Sequence, residues 1–246
     1  MDRAQLYDRM AQRKSKPSDF DTYDGNNGRV NRCERLIRQG KIRAGGTLLD
    51  VGGGIGDLGY SVRDLFDRRI VIDISMDNLR AAESKGNEAC HIDIDREGFE
   101  GIRDESVDVI TALDFIEHIV DPEAFARECE RVLKPGGTVF VNTPNIQFWR
   151  HIEHLTRSGR FPHTSGDREV FHGGHLAFFT FLDLCDIFGA ASLSFEEQFL
   201  DEEGFEQPPD FWLKTQVITS QLEYRIACTR LGNPNLLFKA VKTLQL

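Results

Sequence analysis

The spacing of apolar residues changes period repeatedly along this chain. Residues 47–51 (Thr-Leu-Leu-Asp-Val), 69–74 (Arg-Ile-Val-Ile-Asp-Ile), 89–92, 107–113 and 138–142 are short apolar runs of strand length. Stretches with helical spacing separate them at 58–66, 76–85 and 121–133. The last opens on Asp121-Pro122, with proline in its first turn, and is stopped by Lys134-Pro135-Gly136-Gly137. Strand and helix alternation on this scale predicts a doubly wound α/β fold, with a mostly parallel sheet and helices on both faces.

Outside that core the pattern is less regular. Val30, Cys33, Leu36 and Ile37 predict a helix that caps the sheet edge, within an N-terminal segment over 1–44. The main domain is expected over 45–232, interrupted after the fifth strand by an insertion at 143–179. Thr180 should cap a helix over 181–188, and strands are expected at 192–199 and 223–229, which would complete a seven-stranded sheet whose last strand is antiparallel. Leu236, Leu237, Phe238, Val241 and Leu244 fit an amphipathic helix over 233–246, expected to pack on its own domain or on a second subunit as in a homodimer.

Composition narrows the function classes. The 246 residues carry 40 acidic and 30 basic side chains, a net charge of -10, which disfavours general binding to nucleic acid because that depends on neutralising phosphates. Cys33, Cys90, Cys129, Cys185 and Cys228 are scattered without a C-x-x-C pair, as expected of reduced thiols. No apolar run approaches the roughly 18 residues of a membrane helix, and the polar start is unlike a signal peptide. The expectation is a cytoplasmic protein without a membrane partner.

Candidate chemistry begins at the first strand. It ends in Asp50 and runs into a turn built on Gly52, Gly54 and Gly56, at the position where open α/β sheets bind nucleotides. Asp73 ends the second strand 23 residues after Asp50, where a carboxylate can accept from both ribose hydroxyls. Asp93 ends the third, where it can accept from an exocyclic amine. Gly54-Ile-Gly56-Asp-Leu-Gly59 also fits a dinucleotide fingerprint, so the turn alone leaves an NAD-dependent oxidoreductase open.

Five pieces in order resolve that ambiguity by resemblance: Asp50-x-Gly52-x-Gly54-x-Gly56, Asp73 in Val-Ile-Asp-Ile-Ser, Asp93, the 107–113 strand leading to Glu117-His118, and Leu133-Lys-Pro-Gly-Gly137. Together they resemble the class I S-adenosylmethionine-dependent methyltransferases. Asn142-Thr-Pro-Asn145 and His175-Leu-Ala-Phe-Phe-Thr180 are similar to the branch with ubiquinone-pathway and sugar O-methyltransferases and MetW-like proteins. Gly53 stands where the family commonly has cysteine or another small residue. The resemblance implies S-adenosyl-L-methionine as cofactor and S-adenosyl-L-homocysteine as product. It implies that Gly52, Gly54 and Gly56 lie under the methionine part, that Asp50 orders the loop and reaches the amino group through water, that Asp73 binds the ribose, and that Ile74 is among the cofactor contacts. Met76 would flank the adenine, Asp93 and the Ile94 amide would read its amino edge, and Leu113 and Asp114 would border the methionine tail.

The sulfonium is already electrophilic, so the protein mainly aligns an acceptor and excludes water, with histidine as the usual proton shuttle for an alcohol. His118 and His175 are the expected catalytic pair. Five of the seven histidines fall in the insertion, and its locally basic stretch with His151, His154, Arg157, Arg160 and His172 is expected to bind a small anionic acceptor of sugar or sugar-phosphate type. Asp114, Glu117 and His118 have i, i+3, i+4 spacing and with His175 would suit a divalent ion, by resemblance to the small-RNA 3′-end 2′-O-methyltransferases and the metal-assisted ubiquinone-pathway enzymes. Those relatives have glutamate where this chain has Asp114, so a structural turn is favoured over a metal. A non-catalytic, MetW-like regulatory protein that binds the cofactor without an acceptor is the second alternative.

Overall fold

The computed structural model describes residues 27–41, 45–160, 174–199, 207–208 and 235–243. In chain order the elements are α1 (Asn27–Leu36), continued by a π-helical turn at Ile37–Lys41, then β1 (Thr47–Val51), α2 (Asp57–Ser61), β2 (Arg68–Asp73), α3 (Met76–Ser84), β3 (Glu88–His91) and α4 (Ile94–Glu97). The second half runs β4 (Val107–Leu113), a 3-10 turn at Ile116–His118, α5 (Pro122–Val132), β5 (Leu133–Pro144), α6 (Trp149–Ser158), α7 (Phe181–Ala190), β6 (Leu193–Phe199) and β7 (Asn235–Lys242). Among the described residues the sheet has seven strands in the order β3-β2-β1-β4-β5-β7-β6. β1 to β5 are parallel, and β7 is antiparallel to both of its neighbours.

Successive residues of each central strand point to opposite faces, so a run of apolar residues fills two cores at once. Leu49, Ile110, Val139, Val141, Leu236 and Ala240 face a core closed by α5 and α7 through Phe125, Cys129, Leu184 and Phe188. Leu48, Val109, Phe140 and Leu237 face the other, closed by Cys33, Ile37, Leu58 and Val62. The helix expected at a sheet edge therefore lies on a sheet face: Cys33 of α1 and Ile37 just after it pack with Leu48, Val109 and Phe140 of β1, β4 and β5.

Helix starts follow side-chain caps. Asp121 accepts from the Ala124 amide at 2.7 Å ahead of Pro122, and Thr180 forms a reciprocal capping box with Asp183 at α7. α2 ends at Ser61, earlier than its apolar spacing suggests, because Leu65 bonds back to Val62 and its own carbonyl accepts from Gly45. The fifth strand begins earlier than expected. Leu133 already pairs with Val107 and pairing resumes at Val109 with Thr138, so 134–137 bulge out of the ladder.

The C-terminal segment corrects the sequence reading most sharply. Residues 235–242 are strand β7, pairing Val139 with Ala240 and Val141 with Phe238 on one side and β6 on the other. A helix over 233–246 is thus excluded, and the strand expected at 223–229 lies outside the described residues. Among the described residues no helix is long and apolar enough to cross a membrane.

Candidate active site

The glycine turn sits at the C-terminal end of β1, and each glycine has its own physical reason. A Cβ on Gly52 would lie 2.4 Å from the ring of Phe115, one on Gly53 2.6 Å from the Asp50 carboxylate, and one on Gly56 2.5 Å from the Asn87 side chain. Gly54 differs. With φ of 55° it adopts a left-handed conformation, yet a Cβ there would meet nothing within 4 Å, so its backbone borders open space. The amides of Gly52 and Gly53 are turned back onto the Ile72 carbonyl at 2.8 and 3.3 Å, tying the turn to β2.

Two carboxylates hold this cradle. Asp50 is buried and accepts from the Thr111 hydroxyl at 2.7 Å, a bond across β1 and β4. Asp73 accepts from the Gly54 amide at 3.0 Å, the Ser75 amide at 2.8 Å and the Asn78 side chain at 3.3 Å. Burial pushes its carboxyl above the ordinary aspartate range, and the Ser75, Asn78 and Gly54 donors work against that shift. Ile74 follows it, with its carbonyl 3.1 Å from the His91 ring, and Met76 opens α3 with 44% of its surface exposed. Asp93 caps α4 by accepting from the Asp95 amide at 3.2 Å and is 3.4 Å from Arg96, while Ile94 is the first residue of that helix. Asp50, Gly54, Asp73 and Asp93 thus lie on the ends of β1, β2 and β3 as their spacing predicted.

Beside the turn, the ends of β4 and β5 form a second wall. Leu113 is buried. Asp114 is left-handed at φ of 52°, donates its amide to the Asn142 carbonyl at 2.8 Å and accepts from the Asn142 side chain. Phe115 reaches under Gly52, and two residues on Glu117 is 1% exposed and accepts from the Thr143 hydroxyl at 2.9 Å. The carbonyl of Glu117 also accepts from the Leu176 and Ala177 amides at 2.7 and 3.2 Å, which staples the end of the insertion to the 3-10 turn. His175 consequently stacks edge-on against His118, with ring centroids 4.7 Å apart, and its Nε2 lies 3.9 Å from Glu117 Oε1. Glu117, His118 and His175 each offer a ligand atom within 4.8 Å of the others. Asp114 is outside that group because its carboxylate is drawn to Asn142, so the four-residue set suggested by spacing reduces to three.

The insertion residues divide. His151 is half-buried on α6 with Nδ1 3.0 Å from the Asn145 carbonyl; that oxygen can only accept, so Nδ1 carries the proton and Nε2 is left as the acceptor. Burial pushes its pKa below the ordinary histidine value. His154, Arg157 and Arg160 are exposed, with Arg157 paired to Glu153 at 3.2 Å, and His172 lies outside the described residues. Four further residues shape the site without having been singled out: Thr111, Phe115, Asn87 and Thr143. Only Thr111 carried a signal, as a polar residue inside an apolar strand.

Comparison with known proteins agrees with this geometry. Residues 49–141 match the methyltransferase domain family. Over 106 residues the chain is 36% identical to the ubiquinone biosynthesis O-methyltransferase of Xanthomonas oryzae pv. oryzae (strain PXO99A), covering 42% of this chain and 44% of that protein. The protein of the same name from Idiomarina loihiensis is 32% identical over 111 residues, covering 43% and 46%. The matched part thus spans less than half the length of these curated relatives. Among solved structures, a chain of the complex between the Haloferax volcanii Trm112 methyltransferase activator and its methyltransferase superposes with a TM-score of 0.65 at 18% identity, covering 99% of this chain and 98% of that one. A SAM-dependent methyltransferase from Thermotoga maritima gives 0.61 at 16% identity, covering 98% and 99%. Residues 49–141 are therefore similar to the methyltransferase domain family, and the chain has the fold of these solved methyltransferase structures.

Proposed function

We propose that the chain is an S-adenosylmethionine-dependent methyltransferase that methylates an oxygen of a small, anionic acceptor of sugar or sugar-phosphate type. The observation that carries this reading is the adjacency set up by Phe115: it packs under the cofactor turn at Gly52, and the turn it opens presents Glu117 and His118 to His175. The open backbone at Gly54 and the acceptor set of Asp73 fit the cofactor, with Asp73 at the ribose and Asp93 and Ile94 at the adenine edge. When bound, the sulfonium supplies an electrophilic methyl group. The protein's part is alignment, exclusion of water and removal of one proton, for which the edge-on pair His118 and His175 supplies imidazoles. The naming of the relatives as O-methyltransferases supports oxygen as the acceptor atom.

A second reading uses the same cluster for a divalent cation. One carboxylate and two imidazoles suit such an ion, which would act as a Lewis acid on the acceptor oxygen. The regulatory alternative has less support, because a protein that only binds the cofactor has no use for a carboxylate and two histidines gathered beside it. The deciding experiment is calorimetry with S-adenosylhomocysteine and NAD, followed by S-adenosylhomocysteine release from S-adenosylmethionine with a panel of sugar phosphates, nucleotide sugars and phenols. Binding of S-adenosylhomocysteine with acceptor-dependent turnover supports the enzyme. Binding without turnover on any acceptor favours the regulator, and binding of NAD alone overturns both.

A further inference from the structure

The connection between α3 and β3 doubles back onto the cofactor turn. Asn87 is 6% exposed, and its Nδ2 donates to the Gly56 carbonyl and to the Ala82 carbonyl, each at 3.1 Å. Its orientation is determined by chemistry, since a flipped amide would set its oxygen against both carbonyls. The same side chain demands two of the glycines: a Cβ on Gly56 would lie 2.5 Å from Nδ2, and one on Gly59 2.2 Å from Oδ1. Two residues earlier, Lys85 Nζ meets Asp57 at the start of α2 at 2.5 Å. One bend of chain therefore grips both the last turn glycine and the helix that follows it.

From this we infer that Asn87 is a positioning residue for the methionine half of the cofactor, an inference that rests on the methyltransferase reading. The segment from Asp73 to Asp93 begins and ends at the expected nucleoside contacts, while its middle reaches the turn through Asn87. A buried amide with two carbonyl acceptors sets where the Gly54 to Gly56 backbone stands relative to Asp73. Loss of that amide frees the Gly56 end of the turn, while the Gly54 amide stays bonded to Asp73 and the Asp73 and Asp93 side chains keep their own contacts. The nucleoside contacts and the amino-acid contacts are thus separable by one substitution.

The test compares two ligands on the full chain: S-adenosylhomocysteine, and 5′-methylthioadenosine, which has the nucleoside and lacks the amino-acid tail. In Asn87→Ala, affinity for S-adenosylhomocysteine should fall about five- to tenfold, as for loss of one buried hydrogen bond, with methylthioadenosine affinity changed less than twofold. Asn87→Ser, which keeps a donor, should recover part of the loss, and it replaces the alanine variant if that one does not fold. Turnover should show the change in the KM for S-adenosylmethionine more than in kcat. An unchanged S-adenosylhomocysteine affinity in Asn87→Ala, or an equal loss for both ligands in either folded variant, overturns the inference. Failure of the wild-type chain to bind S-adenosylhomocysteine overturns the methyltransferase reading instead.

Discussion

The backbone amide of Gly54 donates to Asp73 Oδ2 at 3.0 Å, so the carboxylate we propose for the ribose also holds the glycine turn in position. One residue thus shapes the cradle as well as offering the proposed contact. Replacing Asp73 by Ala removes hydrogen bonds to a charged group, each worth about 1.5–3 kcal/mol, and should weaken S-adenosylhomocysteine binding roughly ten- to a hundredfold. Calorimetry checks it. Because burial raises the folded carboxyl's pKa, its contribution to stability is present below the ordinary value of 3.8 and is lost as pH rises through the raised value. The difference in melting temperature between Asp73→Ala and the wild type should accordingly move in the variant's favour from pH 4 to pH 7.

Glu117 serves the histidine cluster under both of its proposed uses. Glu117→Gln keeps an acceptor for Thr143 and should melt near the wild type while losing most turnover, whereas Glu117→Leu strands that hydroxyl and should cost about 1–3 kcal/mol of stability. A chelator separates the mechanisms. Turnover that falls with chelation and returns with a divalent ion establishes the metal reading; turnover indifferent to chelation establishes the histidine pair.

His151 predicts a pH dependence of stability. Its folded pKa lies below the ordinary 6.5, so at lower pH the unfolded chain binds the extra proton first. Stability from this residue is complete above 6.5 and declines as pH falls from there toward the folded value. His151→Phe keeps the ring against Phe148, which it meets at 5.2 Å, and should flatten that part of the profile in thermal melts between pH 5 and 7.5.

The exposed Arg157 and Arg160 test the acceptor. If the acceptor is anionic, the double Ala variant should raise its KM severalfold and leave S-adenosylhomocysteine affinity unchanged. An unchanged KM for the established acceptor would sink the anionic reading and leave the arginines as a solvated face, as the Arg157 pair with Glu153 allows.

Thr111→Val, nearly isosteric, removes the hydroxyl bond to buried Asp50 and should cost about 1–3 kcal/mol in chemical denaturation. The cofactor affinity should fall with it, since Asp50 underlies Gly53.

Strand-end acids and the glycine turn were legible because they depend on short sequence distances: a strand, a turn and a carboxylate at the end of the next strand. Residues 235–242 were misread for a definable reason. A strand that packs on both faces does not alternate strictly, and Leu236, Leu237, Ala240 and Val241 match helical spacing as well as strand spacing. Nothing local states that β5 lacks a partner on that side. The residues of the second wall were partly visible, as the Glu117-His118 pair, but Asp114 was grouped with them by spacing alone, and its left-handed backbone and bond to Asn142 take it elsewhere.

By itself the amino-acid sequence determined the alternation of strands and helices and the placement of the glycine turn and the acids near the strand ends, because these follow from local periodicity; the cofactor class came from the resemblance of five motifs in order. Tertiary structure decided the rest. It placed 235–242 as an inner strand, laid α1 on a sheet face, and brought His175 against Glu117 and His118 through backbone bonds between segments far apart in the chain. It also showed that Gly52, Gly53 and Gly56 answer to Phe115, Asp50 and Asn87, and that Gly54 faces open space. Close approach is a property of what lies opposite a residue, and that is settled only when distant segments pack.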